Sequence, residues 1–453
     1  MSIEAQQKYS LQGGTDNHLA KLSEDDALQR LQAMLSQWLR MENVAVLMGA
    51  GCSVTHGGKL MGSLEDAVLS FLASAYDATE DTVLADIVKR RRFDADIGLG
   101  VGFEEWLSFV ANASYILGVT GGPVASIDLN GMEGSISASA DDLKRLMKDL
   151  RVAIMVFCAL ELPALLSEPS GHHALFGKLM ARDPALGRLH IYTTNYDTLI
   201  EQALDDLGAQ YADGFVGKSR PRFEPASYGL DIYFPGDVAE GRVRRFDKYA
   251  QLFKIHGSIS WFTEGTETVQ RHGVLHDLKG WRDTEGTPKE RLEGLRAVGK
   301  RLGCEVAILP TANKFAQTLD LPYAHLFRAF GARLALPQTF LIVAGYGFGD
   351  RHINQIIDDA MANPGLVLLV VDPCPGQATK KHLARYQAAG ERAYLLTAAE
   401  QTNPPSIATF DDFAKSLLPN VRWLDDLIAL RKLEKTLATA TEAPAGGKAE
   451  KAE

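Results

Sequence analysis

The chain has 453 residues, 46% of them hydrophobic and 23% charged, a balance that excludes a wholly disordered, collagen-like or coiled-coil protein. Its 47 basic and 57 acidic residues leave a formal charge of −10, which argues against a non-specific grip on nucleic acid or an anionic membrane. Cys52, Cys158, Cys304 and Cys374 are widely spaced with no CxxC pair, so reduced thiols are expected rather than a disulfide framework or a zinc knuckle.

The opening MSIEAQQKYSLQGGTDNH has neither the basic nor the apolar region of a secretory signal, and no apolar run approaches membrane-spanning length, so a cytoplasmic location is expected. Residues 1–40 read as a lead-in whose helix occupies 24–40, with Leu28, Leu31, Leu35, Trp38 and Leu39 at helical spacing and Ser23 as its N-cap. NVAVLM at 43–48 then reads as a buried parallel strand running into the glycines of GAGCS. Helical patterns dominate about 65–182, broken by a glycine- and serine-rich run at 118–139, and predict a helical insertion.

LHIYTTNYD at 189–197 and LFKIHGS at 252–258 read as strands ending in polar residues, with a helix over 198–207 after the first. The charged stretch 262–304 is expected to be an irregular, solvated excursion. Strands over 306–310, 339–350, 366–373 and 393–398 alternate with helices over 322–335, 351–361 and 377–389. The rhythm predicts an α/β fold, a Rossmann-like parallel sheet with helices on both faces spanning 41–435, followed by a disordered tail at 436–453.

Ligands of open parallel sheets bind at the carboxyl ends of strands. Four such ends carry polar or glycine-rich sequence: Gly49-Ala50-Gly51-Cys52-Ser53, Thr193-Thr194-Asn195-Tyr196-Asp197, His256-Gly257-Ser258 and Gly345-Tyr346-Gly347-Phe348-Gly349-Asp350. Gly49, Ala50 and Gly51 either bring backbone amides to a diphosphate, with the Ser53 hydroxyl beside them, or simply make a tight strand-to-helix turn. Cys52 reads as a packing residue. Asn195 suits a ribose hydroxyl or a water, Asp197 suits hydroxyls or a helix cap, and His256 is either a general base or a buried structural histidine. The glycines of 345–349 form a second backbone nest, Asp350 either caps the next helix or serves a ligand, and Asp372 is either a ribose acceptor or an ordinary strand terminator. Two nests, an amide, a carboxylate and a histidine suit a dinucleotide. The absence of GxxxxGK[ST] disfavours a P-loop enzyme.

GAGCS, TTNYD, KIHGS and GYGFGD, in that order, resemble the motifs of the Sir2-like NAD-binding domain family, over roughly residues 40–400, and are most similar to its bacterial anti-phage defence members. The resemblance implies that Gly49, Ala50, Gly51 and Ser53 bind the NAD diphosphate, that Asn195 contacts the nicotinamide ribose or a water, and that Asp197 lies by the nicotinamide end. It also implies that His256 is catalytic and that Gly345, Tyr346, Gly347 and Gly349 line the adenosine side, Tyr346 standing where deacylases of the family carry serine. Asp372 matches no invariant of the family and remains a candidate from its strand-end position alone. The cysteine pairs of the deacylase zinc module are missing, so no structural zinc is expected. The implied activity is hydrolysis of NAD to nicotinamide and ADP-ribose, in a homo-oligomer working with a HerA-type ATPase or a short Argonaute. Two alternatives stay open: a module that senses NAD or ADP-ribose, and an NAD-dependent deacylase.

Overall fold

The computed structural model describes residues 8–14, 16–96, 102–120, 125–127, 136–234, 244–303, 321–388, 390, 392–400 and 409–421. Its centre is a nine-stranded, mostly parallel sheet. In chain order the strands are β1 (Tyr9–Gly13), β2 (Asp16–Asn17), β3 (Asn43–Met48), β4 (Leu189–Thr193), β5 (Gln210–Ala212), β6 (Tyr249–Lys254), β7 (Thr339–Ala344), β8 (Leu366–Val371) and β9 (Ala393–Ala398). In space they run β2-β1-β9-β8-β7-β3-β4-β6-β5. The central strands are buried on both faces. Val44, Val46 and Met48 of β3 join one core with Phe340 and Ile342 of β7, while Ala45 and Leu47 join the other with Leu341 and Val343, the two-residue alternation of a sheet covered on both sides.

The helices of the lead-in and insertion are α1 (Glu24–Leu39), α2 (Met61–Ala78), α3 (Thr82–Asp96), α4 (Phe103–Thr120), α5 (Ala140–Phe157) and α6 (Gly171–Met180). Further on come α7 (Leu199–Asp206), α8 (Val274–Arg282), α9 (Pro288–Leu302), α10 (Tyr323–Leu334), α11 (Arg351–Ala360) and α12 (Gln377–Ala388). Helices α2 to α5 share a core of their own, in which Leu69, Leu72, Tyr76, Leu146 and Leu150 are fully buried. Helix α6 packs instead through Leu175, Phe176 and Leu179 on the sheet.

Two sequence expectations are corrected. Residues 262–303, the described part of the stretch expected to be irregular, are not an excursion: a hairpin of Trp261–Glu264 and Glu267–Gln270 leads into α8 and α9. Leu292, Leu295, Val298 and Leu302 of α9 make a stripe buried in the insertion core, and Thr287, Pro288 and Glu290 form its capped start. The many charges between these residues hid that periodicity. The lead-in, expected to be helical, also contributes β1, which pairs antiparallel with β9 at the edge of the Rossmann-like parallel sheet that the rhythm predicts. A strand of five residues held by backbone bonds leaves little pattern in its side chains. The strand expected at 306–310 and the tail at 436–453 lie outside the described residues. Among the described residues no helix is long and apolar enough to cross a membrane.

Candidate functional site

From β3 the chain proceeds to β4 on one side and only later places β7 on the other. At such a switch in strand order the connections leave in opposite directions and open a crevice. A cleft of about 1150 Å³ lies there, lined by Ala50 after β3, Thr194 after β4 and the loop Gly345–Asp350 after β7. Leu60 and Met61 at the start of α2, and Phe103, Glu104 and Glu105 at the start of α4, supply the wall contributed by the insertion.

The two glycine-rich turns meet backbone to backbone. The Gly49 amide donates to the Ala344 carbonyl and the Gly51 amide to that of Gly345, each at 2.9 Å, and Cys52 N–H closes on Gly49 at 3.0 Å. A Cβ on Gly49 would stand 2.8 Å from the Tyr346 Cα, and one on Gly51 2.7 Å from the Gly345 Cα. These glycines are therefore required by packing, and two of the amides read as anion donors are already spent on the fold. Ala50, first residue of a short 3-10 helix over Ala50–His56, lines the cleft with an amide at the open end of that helix. Gly347 and Gly349 differ from the first set. They line the cleft, and a Cβ on either would meet nothing within 4 Å. Cys52 is fully buried against the Ala344 carbonyl, burial pushing its thiol pKa well up, which fits a packing residue.

Asn195, Ser53 and Asp197 form one buried chain. Asn195 Nδ2 donates to the Gly49 carbonyl and to Ser53 Oγ, both at 3.0 Å, and Ser53 Oγ donates to Asp197 Oδ2 at 2.7 Å. Because a carbonyl can only accept, the Gly49 contact fixes which side of the amide is nitrogen and leaves Oδ1 as the atom Asn195 can offer a ligand. Asp197 Oδ1 accepts from the Leu199 amide, so both its oxygens serve the fold and hold Ser53. Behind them Lys254 is buried, donating to the Asp197 carbonyl and, at 2.7 Å, to Glu201 Oε1.

His256 is carried past the end of β6 by Ile255, whose amide donates to the Thr193 carbonyl, and is turned by Gly257 at φ +83°. Its Nε2 lies 2.9 Å from Asp350 Oδ2, with both side chains about nine-tenths buried. Asp350 also caps α11, Oδ1 accepting from the His352 and Ile353 amides at 2.9 and 3.2 Å. The sequence marks Asp350 as a cap or a ligand group, and the structure shows it capping α11. Its pairing with His256 joins two motifs far apart in the chain and leaves no local signal. Tyr346 points into its own loop, donating to Asn354 Oδ1 at 2.8 Å and accepting from the Asp350 amide at 3.2 Å; burial pushes its phenol pKa up.

Asp372 stands apart. It follows β8 on the same edge of the sheet but is not among the cleft-lining residues, and its Oδ1 accepts from the Cys374 amide at 3.0 Å, the ordinary turn at a strand end. Among the described residues no group of three or more His, Cys, Asp or Glu is arranged to hold a metal ion.

A family model described as a SIR2-like domain matches residues 189–394. The matched segment holds Asn195, Asp197, His256 and the Gly345–Asp350 loop, and the fold brings the Gly49–Ser53 turn to it from outside that range. No curated protein matches the chain.

Proposed function

We propose that the chain is an NAD⁺ hydrolase that releases nicotinamide and ADP-ribose, and that it serves bacterial anti-phage defence by depleting NAD. The observation that carries this reading is that Ala50 of the Gly49–Ser53 turn and the Gly345–Asp350 loop line a single cleft, with Asn195 bonded to Gly49 and Ser53 and His256 paired with the cleft-lining Asp350; Asn195, His256 and the loop lie within the SIR2-like segment. A cleft of about 1150 Å³ has the volume for a dinucleotide, somewhat above the roughly 300–1000 Å³ common for small-molecule sites.

The chemistry asks little of the protein beyond placement. Nicotinamide leaves as a neutral ring, so no strong acid is needed; the site must hold the ribose, admit a water and take up its proton. Asn195 Oδ1 is the acceptor for a ribose hydroxyl or the water, and the paired His256 and Asp350 take the proton. The Ala50 amide and the open backbone of Gly347 and Gly349 receive the diphosphate and the adenosine side. Tyr346 shapes that loop, and Asp372 would join only through a longer reach along the sheet edge.

The test is a time course of nicotinamide and ADP-ribose release, with the chain alone and with the protein encoded beside it. In this reading the chain is a homo-oligomer whose partner is a HerA-type ATPase or a short Argonaute. Asn195→Ala and His256→Ala are each expected to lower turnover at least tenfold while the protein stays folded. Undiminished turnover in both variants overturns the site. Stoichiometric NAD⁺ binding without turnover, partner present, favours a sensing module instead, and release that depends on an acylated peptide favours a deacylase.

A further inference from the structure

We infer that the exposed face of α4 docks a second copy of this chain, the two helices lying antiparallel about a two-fold axis that passes beside Asn112. The inference rests on the homo-oligomer of the proposed function, not on its chemistry, and gives that assembly a surface. Helix α4 is apolar on both sides. Phe103, Trp106, Leu107, Val110 and Leu117 are buried in the insertion core, yet Phe109, Tyr115, Ile116 and Val119 are between 43% and 74% exposed. Single exposed apolar residues are ordinary, whereas a helix that is apolar all round is one that is covered all round.

The spacing of this face points to another helix as its cover. Glu105, Phe109, Asn112, Ile116 and Val119 recur at intervals of four, three, four and three residues, the period of a seam between two helices. A two-fold pair needs one patch that complements itself, and this one does. Reversal about Asn112 sets Phe109 of each copy against Tyr115 and Ile116 of the other. It also brings the two exposed Asn112 side chains together, where each amide nitrogen can donate to the other copy's amide oxygen; a lone asparagine in such a seam fixes register and the number of helices. The charges agree. Glu105 is exposed at one end of the stripe, and at the other Lys144 of α5 lies beside Gly118, its Nζ 3.9 Å from where a Cβ would stand. Reversal brings Lys144 of each copy to Glu105 of the other, whereas a parallel pair would set Glu105 against itself.

The docking face adjoins the cleft. The first turn of α4 supplies Phe103, Glu104 and Glu105 to the cleft wall, so a second copy seated on the same helix braces that wall from outside. With Glu105 of one copy opposite Val119 of the other, the two Glu105 residues stand about 21 Å apart along the pair at a rise of 1.5 Å per residue. A stripe of this length is at the small end of specific interfaces, so the association it supports is concentration-dependent.

Sedimentation velocity of the full chain from about 1 to about 100 µM tests this. The wild type is expected to associate into a dimer or an even multiple of one. Ile116→Glu strands a charge in the seam, and Asn112→Lys sets two ammonium groups together at the axis; each is expected to weaken association at least tenfold with the melting temperature unchanged, and either suffices should the other unfold. Disulfide trapping reads the direction, in a chain carrying Cys304→Ser and Cys374→Ser so that the exposed Cys374 forms no link of its own. Under mild oxidation Asn112→Cys is expected to link two copies, and Glu105→Cys and Val119→Cys to link when mixed but not alone. A wild type that stays monomeric across the range overturns the inference, as does association undiminished in both Ile116→Glu and Asn112→Lys. So does Glu105→Cys linking to itself, the mark of a parallel pair. Each readout is a mass, so a chain that pairs in this way yet releases no nicotinamide overturns the hydrolase reading and leaves this inference standing.

Discussion

Gly51 and Gly345 touch through their backbones: the amide of the first donates to the carbonyl of the second at 2.9 Å, and a side chain on Gly51 would stand 2.7 Å from the Gly345 Cα. Gly345 also sits at φ +62°. The contact locks the turn after β3 to the turn after β7, so the edge of the sheet that carries the cleft exists only while both turns lack side chains. Gly345→Ala is expected to cost about 1–3 kcal/mol of stability through overpacking and backbone strain. Gly347→Ala is the matched control, since its Cβ would enter open space; it should leave the melting temperature nearly unchanged and weaken NAD⁺ binding. Equal melting temperatures for the two variants would refute the division of labour between these glycines.

The Asn195, Ser53 and Asp197 chain makes a separable prediction. Ser53 is 2% exposed and is at once a donor to Asp197 and an acceptor from Asn195. Ser53→Ala removes both bonds and leaves a buried amide hydrogen and a carboxylate oxygen short of a partner, a loss of about 1–3 kcal/mol. Urea unfolding measures it. An unchanged midpoint would show that the three side chains do not act as a unit.

The α/β rhythm and the four strand ends were legible because buried strands on both faces of a sheet read as short apolar runs, and glycine or polar residues must follow them where the chain turns. The strand-end positions of Asn195 and His256 were legible for the same reason. What escaped is long-range. Asp350 carries a local capping signal that masks its pairing with His256. The stripe of α9 was hidden among charges, one of which, Arg296, reaches the buried Asp149 of α5 at 2.7 Å, an ion pair between elements that no local pattern announces. Gly49 and Gly51 read either as ligand approach or as a tight turn, and no local pattern announces that they are pressed against the backbone of a second turn more than 290 residues on.

Burial of His172 gives a pH dependence. The residue is 1% exposed, stacks edge-on to Phe410, and has a buried Nδ1 with no hydrogen-bond partner among the described residues. Burial, with smaller contributions from His56 and His173, depresses its pKa from 6.5 to about 3. A histidine whose folded pKa is depressed contributes stability that is present above its unfolded pKa and lost as pH falls toward the folded one. Between pH 6 and 4 the free energy of unfolding is expected to fall with acid, and His172→Phe, which keeps the ring, should flatten that slope by about 1.4 kcal/mol per pH unit. Urea unfolding across that range checks it, and parallel slopes for the two proteins would count against the assignment.

Lys254 is 1% exposed, directly behind the site, and its ammonium is shared between Glu201 and the Asp197 carbonyl. Burial raises the Glu201 pKa, opposed by the charge of Lys254 and the hydrogen bond from it. Removing the lysine therefore does more than delete a contact: it leaves Glu201 as an uncompensated buried acid beside the segment that positions Asp197. Lys254→Met is expected to lose about 3–5 kcal/mol at neutral pH. The double variant Lys254→Met with Glu201→Leu should recover much of that loss, because neither charge is then stranded. The sign of the pH effect follows from the raised pKa. Protonation of Glu201 relieves the single variant, so its deficit relative to wild type should shrink as pH falls from 7 to 5 and widen as pH rises through the folded pKa. A deficit that is constant over that range would mean that the lysine serves by its packing and its bond to Asp197, with Glu201 neutral throughout.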